Sequence, residues 1–166
     1  DLAPMLIALG ATVTIAGAAG NRDIPLEQFF TTPRDALRRE NVLQPGEIVS
    51  QVHVPASAMA ARSTYLKFKE RESLDFAMAS VAAAVELGPD KVVRDARLVL
   101  GGVAPIPWHT KEAEASLVGH RLDEATIAQA AKLALQGAAP LDHNAYKIPL
   151  TQTLVRRALA KLNAQA

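Results

Sequence analysis

Cysteine is absent from the 166 residues. Its absence excludes a disulfide, a thiolate nucleophile and a cysteine-ligated iron–sulfur cluster within this stretch. It leaves the compartment open, because cytoplasm and periplasm both accommodate a cysteine-free chain. Aromatic residues are scarce, at 4%, so close packing of small side chains must replace the large area that aromatics bury. Neither sign of charge is in excess: 18 Lys+Arg face 17 Asp+Glu, a formal net charge of +1. Apart from Arg38-Arg39 and Arg156-Arg157 the basic residues are scattered, which argues against a nucleic-acid or membrane-surface binder. No run of about 18 apolar residues occurs, so no membrane-spanning helix is expected, and no signal peptide is visible. G-x-G-x-x-G, P-loop and G-x-S-x-G motifs are all missing. The four histidines, His53, His109, His120 and His143, lie far apart without ligand spacing, so no metal site is expected.

What is present is apolar content of 49%, much of it alanine. That suffices for one large domain or two small ones with thin, closely packed cores. The opening Asp1-Leu2-Ala3-Pro4-Met5-Leu6 has no start methionine and is core-like at once, which reads as a chain cut inside a fold. Leu2–Leu9 predicts a short helix stopped by Gly10, with Asp1 as its N-cap. Residues 11–16 alternate Thr with Val/Ile and predict a strand. Gly17–Asn21 predicts a turn, Ile24–Phe30 a brief helical turn with two aromatics inward, and Thr31–Asn41 a surface loop. Gly46–Pro55 predicts a strand ended by proline. Ala56–Arg62 is the expected boundary between two units.

The second unit predicts strands at Thr64–Lys69, Ala77–Leu87 and Val92–Leu100. The last two form a hairpin over Gly88-Pro89-Asp90-Lys91. Alanine propensity alone would make Ala77–Leu87 helical, but the flanking turn signals favour a strand. Helices follow at Lys111–Val118 after Thr110, at Glu124–Gln136 after Asp123, and at Leu150–Ala164. Trp108, after Pro105-Ile106-Pro107, is expected to wedge that loop onto the sheet. Gly101-Gly102 serves either a turn needing positive φ or a close approach to a ligand ring. Spacing alone makes Lys67 a solvated lysine on an alternating strand, and Arg71 with Asp75 a surface ion pair.

Six segments in order resemble the flavin-carrying subunit of the molybdenum hydroxylases, the family of xanthine dehydrogenase, carbon monoxide dehydrogenase and bacterial aldehyde oxidoreductases. They are Asp1-Leu2-Ala3-Pro4 with Leu6–Leu9, Gly20-Asn21-Arg22 with Leu26–Phe30, and Leu43-Gln44-Pro45-Gly46-Glu47-Ile48-Val49. Then come Tyr65-Leu66-Lys67-Phe68 with Arg71 and Asp75-Phe76-Ala77, Leu100–Pro105 with Pro107, and Asn144–Lys147 with Leu150 and Val155–Leu159. The resemblance implies a mixed α/β (α+β) fold. Residues 1–58 would be the end of a vanillyl-alcohol-oxidase-type FAD-binding domain. Residues 59–166 would be a carbon monoxide dehydrogenase flavoprotein C-terminal-like domain with a three-stranded antiparallel sheet plus helices.

By the same resemblance the cofactor is FAD. Asp1 would hydrogen-bond its ribityl or phosphate-side groups. Arg39, or Arg38 beside it, would be the basic loop residue near the dinucleotide. Val49 would line the cofactor, and Lys67 would stand near the isoalloxazine. Arg71–Asp75 would form the charged loop over the ring. The family's two glycine-rich phosphate loops precede the matching region, so the N-terminal part of the same subunit becomes a partner. The others implied are a large molybdopterin subunit and a small subunit with 2Fe-2S clusters, in a soluble complex of cytoplasm or periplasm. Electrons would pass from those clusters through FAD to NAD+, quinone or oxygen. Two rivals stand beside this reading: a non-catalytic assembly domain, and a stand-alone flavin oxidase.

Overall fold

The computed structural model describes residues 1–57 and 62–164. Helix α1 (Leu2–Ala8) is apolar throughout and buries Pro4, Ile7 and Ala8. Pro4 is tolerated because it sits in the first turn, where its missing N–H has no helical partner. Gly10, at φ +73°, lets the chain reverse, and Ala11 N–H donates to Leu6 O at 2.9 Å. Strand β1 (Thr12–Gly17) buries Val13 and Ile15 and leaves the threonines part-exposed, as its alternation predicts.

β1 is the centre of a three-stranded antiparallel sheet, between β2 (Gly20–Pro25) and β3 (Ile48–His53). β2 corrects the sequence reading, which gave its first residues to a turn and its last to a helical turn. Its central residues Asn21–Asp23 are polar, and all but Ile24 are exposed. They form a strand because pairing to β1 satisfies their backbone, reinforced by Thr14 Oγ1 donating to Asp23 at 2.5 Å. The helical turn is confined to Leu26–Gln28 and buries Leu26. Phe29 and Phe30 follow it edge to face, 5.4 Å apart.

The second sheet runs β4 (Ser63–Phe68), β5 (Ala79–Leu87), β6 (Val93–Gly101) and β7 (Trp108–His109), all antiparallel. The expected three strands are present, and the two-residue β7 adds a fourth. Trp108 is therefore a strand residue opposite Leu100 and is 47% exposed, not a wedge beneath the loop. The seven residues from Ala79 to Val85 are all buried, because both faces of β5 are covered. Ala79, Val81, Ala83 and Val85 face the helices, whereas Ala82, with Val99 of β6, joins Ile7, Val13, Ile15 and Leu26. Alanine at these positions lets α1 approach the sheet closely.

α2 (Lys111–Leu117), α3 (Glu124–Leu133) and α4 (Lys147–Ala164) cover the other face. Asp123 caps α3, accepting from Thr126 N–H at 2.8 Å. The expected extension of α3 to Gln136 is a tighter turn, with Gln136 N–H donating to Leu133 O at 3.0 Å. Thr110 precedes α2, but its hydroxyl donates to Leu98 O on the sheet at 2.9 Å and caps nothing. α4 starts three residues before the predicted Leu150, since Pro149 falls in its first turn. The expected domain boundary at 58/59 lies outside the described residues. Among those described, no helix is long and apolar enough to cross a membrane.

Candidate functional site

Where the two sheets meet, a cavity of about 360 Å³ opens. Its walls come from Asp1 and Pro4 at the start of α1, Phe29 and Phe30, Glu40 and Asn41, Tyr65 of β4, Phe76 and Ala77 before β5, Ser80 of β5, Gly101 at the end of β6, and Gly102 with Ala104–Pro107 after it. Gly102 is required twice over. Its φ is +73°, and a Cβ would stand 2.7 Å from Ala77 O. At Gly101 a Cβ would press on Ser80 and on Pro4, 3.0 Å away. The turn reading of the pair therefore holds, and the pair also brings bare backbone to the cavity wall.

The Lys67 ammonium donates to the Asp1 carboxylate. The side chains are only 22% and 26% exposed, so Lys67 is not the freely solvated group that spacing suggested. Asp1 makes no side-chain cap to α1; its charge goes to Lys67 instead. The register explains the meeting. Lys67 stands opposite Ser80 on β5, on the sheet face that receives α1. Beyond Lys67 a shallow hollow is lined by Lys69 and Glu72–Asp75, where Arg71 bonds Asp75 at 3.3 Å.

Arg39 does not line this cavity. It lines an adjoining one of about 680 Å³ with Arg38, which shares Glu40, Asn41 and Pro105 with the first. Its guanidinium donates to Gln44 at 3.2 Å. Val49 lies exposed on β3 opposite Ile15 and lines neither cavity. The structure thus brings Asp1 and Lys67 together, puts Arg39 next door and leaves Val49 apart.

Tyr65 carries a role that sequence reasoning did not assign. Its ring lines the cavity, and its hydroxyl is buried without a hydrogen-bond partner. A buried unpaired hydroxyl is costly, so an external acceptor is the natural complement. Three phenylalanines offer apolar faces and Asp1 an acceptor, a combination suited to an aromatic ring with a polar chain. The residues fit the ring and sugar-alcohol side of a flavin. The sequence offers no phosphate-cradling G-x-G-x-x-G or P-loop.

The family described as "CO dehydrogenase flavoprotein C-terminal domain" matches residues 47–162, and "FAD binding domain in molybdopterin dehydrogenase" matches residues 1–57. The aldehyde oxidoreductase FAD-binding subunit PaoB of Escherichia coli is 33% identical over all of this chain and 49% of its own length. The glyceraldehyde dehydrogenase medium chain of Sulfolobus acidocaldarius is 29% identical over 98% of this chain and 56% of its own. Among solved structures, carbon monoxide dehydrogenase from Hydrogenophaga pseudoflava superposes with a TM-score of 0.87 at 27% identity, over 100% of this chain and 57% of that one. Quinoline 2-oxidoreductase from Pseudomonas putida 86 gives 0.86 at 26%, over 100% and 56%. The chain spans about half the length of the curated relatives it matches. With most of its residues matched and its whole length superposed, the chain belongs to the CO dehydrogenase flavoprotein C-terminal domain family, here preceded by a segment of the FAD-binding domain of molybdopterin dehydrogenases.

Proposed function

We propose that the protein containing this chain is the FAD-binding, electron-transferring subunit of a molybdopterin-dependent hydroxylase or dehydrogenase of the aldehyde or xanthine type. The carrying observation is the Lys67–Asp1 pair beside an aromatic cavity lined by Tyr65, whose buried hydroxyl has no partner among the described residues. Bound there, FAD takes up electrons singly and releases them in pairs, which suits it to the end of an iron–sulfur chain.

This chain's residues would act by position and charge. Lys67 places a cation near the ring and favours added negative charge. Asp1 fixes that cation and accepts from the cofactor's hydroxyl groups. Phe29, Phe30 and Phe76 exclude water from the ring. Arg39, in the adjoining cavity, suits the dinucleotide's phosphate side. Val49 has the weakest support: it lines neither cavity, whereas Lys67 reaches the first through its bond to Asp1. The diphosphate cradle falls to the rest of the subunit. In this reading residues 1–58 complete the FAD-binding domain and 59–166 form the flavoprotein C-terminal domain. The partners are a large molybdopterin subunit and a small 2Fe-2S subunit, in the cytoplasm.

The test is an absorbance spectrum with metal analysis of the complex purified through the full-length subunit. Flavin bands with iron and molybdenum are expected. Flavin without metals would replace this reading with a stand-alone flavin oxidase, and neither signal would replace it with an assembly domain.

A further inference from the structure

His109 stands between two carboxylates. Its Nδ1 is 2.9 Å from Glu27 Oε1 and its Nε2 is 2.7 Å from Glu114 Oε1. A neutral imidazole has one N–H and one lone pair, so only the imidazolium donates at both ends. The His109 side chain is 14% exposed, which keeps water from substituting for either carboxylate. The same Glu114 oxygen also accepts Leu98 N–H at 2.6 Å.

The bridge joins parts of the fold distant in sequence. Glu27 belongs to the Leu26–Gln28 turn, His109 to β7 and Glu114 to α2. Glu27 comes just before Phe29 and Phe30, and His109 just after the Ala104–Pro107 loop. Both of those segments line the cavity. We propose that His109 is a positioning residue, an imidazolium that ties the Phe29-Phe30 wall to the Ala104–Pro107 wall, holds the cofactor cavity closed and loosens it on losing its proton. This role rests on the FAD reading above.

The charge environment supports it. The hydrogen bond to Glu114 raises the His109 pKa above its ordinary value, burial opposes that rise, and Glu27 adds to it. A raised folded-state pKa means that the bridge is fully present below the ordinary histidine range and is lost as pH rises through the folded value. The groups facing the ring are Glu27 from the turn and Glu114 from α2, with Lys111 of α2 lying 3.5 Å from Glu27. β6 meets β7 at Val99 and Leu100, which do not titrate. α1, packed against the turn, carries no titratable side chain over Leu2–Ala8.

The experiment uses the full-length protein and three forms, wild type, His109→Gln and His109→Arg, between about pH 5.5 and 9. One readout is the thermal midpoint of flavin-free protein. The other is the rate of FAD release, followed by flavin fluorescence. In wild type the midpoint should fall with rising pH while release quickens by roughly threefold or more. His109→Gln should show fast release and a flatter midpoint at every pH. His109→Arg, a permanent cation, should keep release slow at high pH. Superimposable pH profiles in all three forms would overturn the bridge. A changed midpoint profile with unchanged FAD release would overturn the positioning role. Failure of wild type to bind FAD would overturn the cofactor reading, and with it this role, while the midpoint still reports the imidazolium.

Discussion

Tyr65 presents a hydroxyl that meets no acceptor among the described residues, at a cost of about 1–3 kcal/mol for a buried donor. In the full-length protein, Tyr65→Phe should leave the flavin-free form as stable or about 1 kcal/mol more stable, because the orphan is removed. The same change should weaken FAD about five- to tenfold, because the cofactor loses a donor. Calorimetric unfolding and a flavin titration check the two halves, and a holo form unaffected by the change would remove Tyr65 from the site. Tyr65 and Lys67 were legible as members of a motif, but their chemistry was not. Alternation along β4 shows that they share a face; it does not show that α1 closes over that face. Asp1 looked like a cap because Asp before an apolar helix usually is one, and only the tertiary contact diverts it to Lys67. The Glu27–His109–Glu114 bridge left no trace in spacing, since Glu27 and His109 are 82 residues apart.

At the scale of elements, β5 governs how the two sheets join. Ala82 is fully buried on the face that meets the first sheet. Ala82→Leu should push the layers apart and destabilise by about 1–3 kcal/mol, measured by denaturant unfolding; a change within error would mean that the interface has slack. Gly102→Ala should also destabilise, by about 1 kcal/mol or more, through its left-handed backbone and the Ala77 carbonyl. A wild-type unfolding midpoint would contradict that strain. Long elements with strong turn signals were readable. The β5–β6 hairpin closes at Gly88–Lys91 as predicted, with Gly88 N–H donating to Val92 O at 2.8 Å. β2 was not readable, because an exposed polar edge strand has no alternation to detect. β7 was not, because two residues are too few to show a period.

For the molecule as a whole, charge pairing defines a pH window. Burial pulls Glu27 upward, but bonding to His109 and proximity to Lys111 outweigh it and hold its carboxyl below the usual range. Glu47 is held low by Arg22, 2.8 Å away, and by the Gln44 amide. Depressed carboxyl pKa values contribute stability above the ordinary carboxylate range, and it is lost as pH falls through the folded values. With His109 acting in the opposite sense, stability should peak between the two ranges. A thermal midpoint that rises steadily from acid to alkaline pH would contradict this. The central claim is that Lys67, fixed by Asp1, stands beside a flavin. Lys67→Ala removes a cation and leaves Asp1 uncompensated, and both effects disfavour added electrons. A redox titration of the flavin in the full-length subunit, wild type against Lys67→Ala, tests the claim most directly. The account predicts a lower potential in the variant, by about 20 mV for each kcal/mol lost from a two-electron couple; a potential unchanged within error would contradict it.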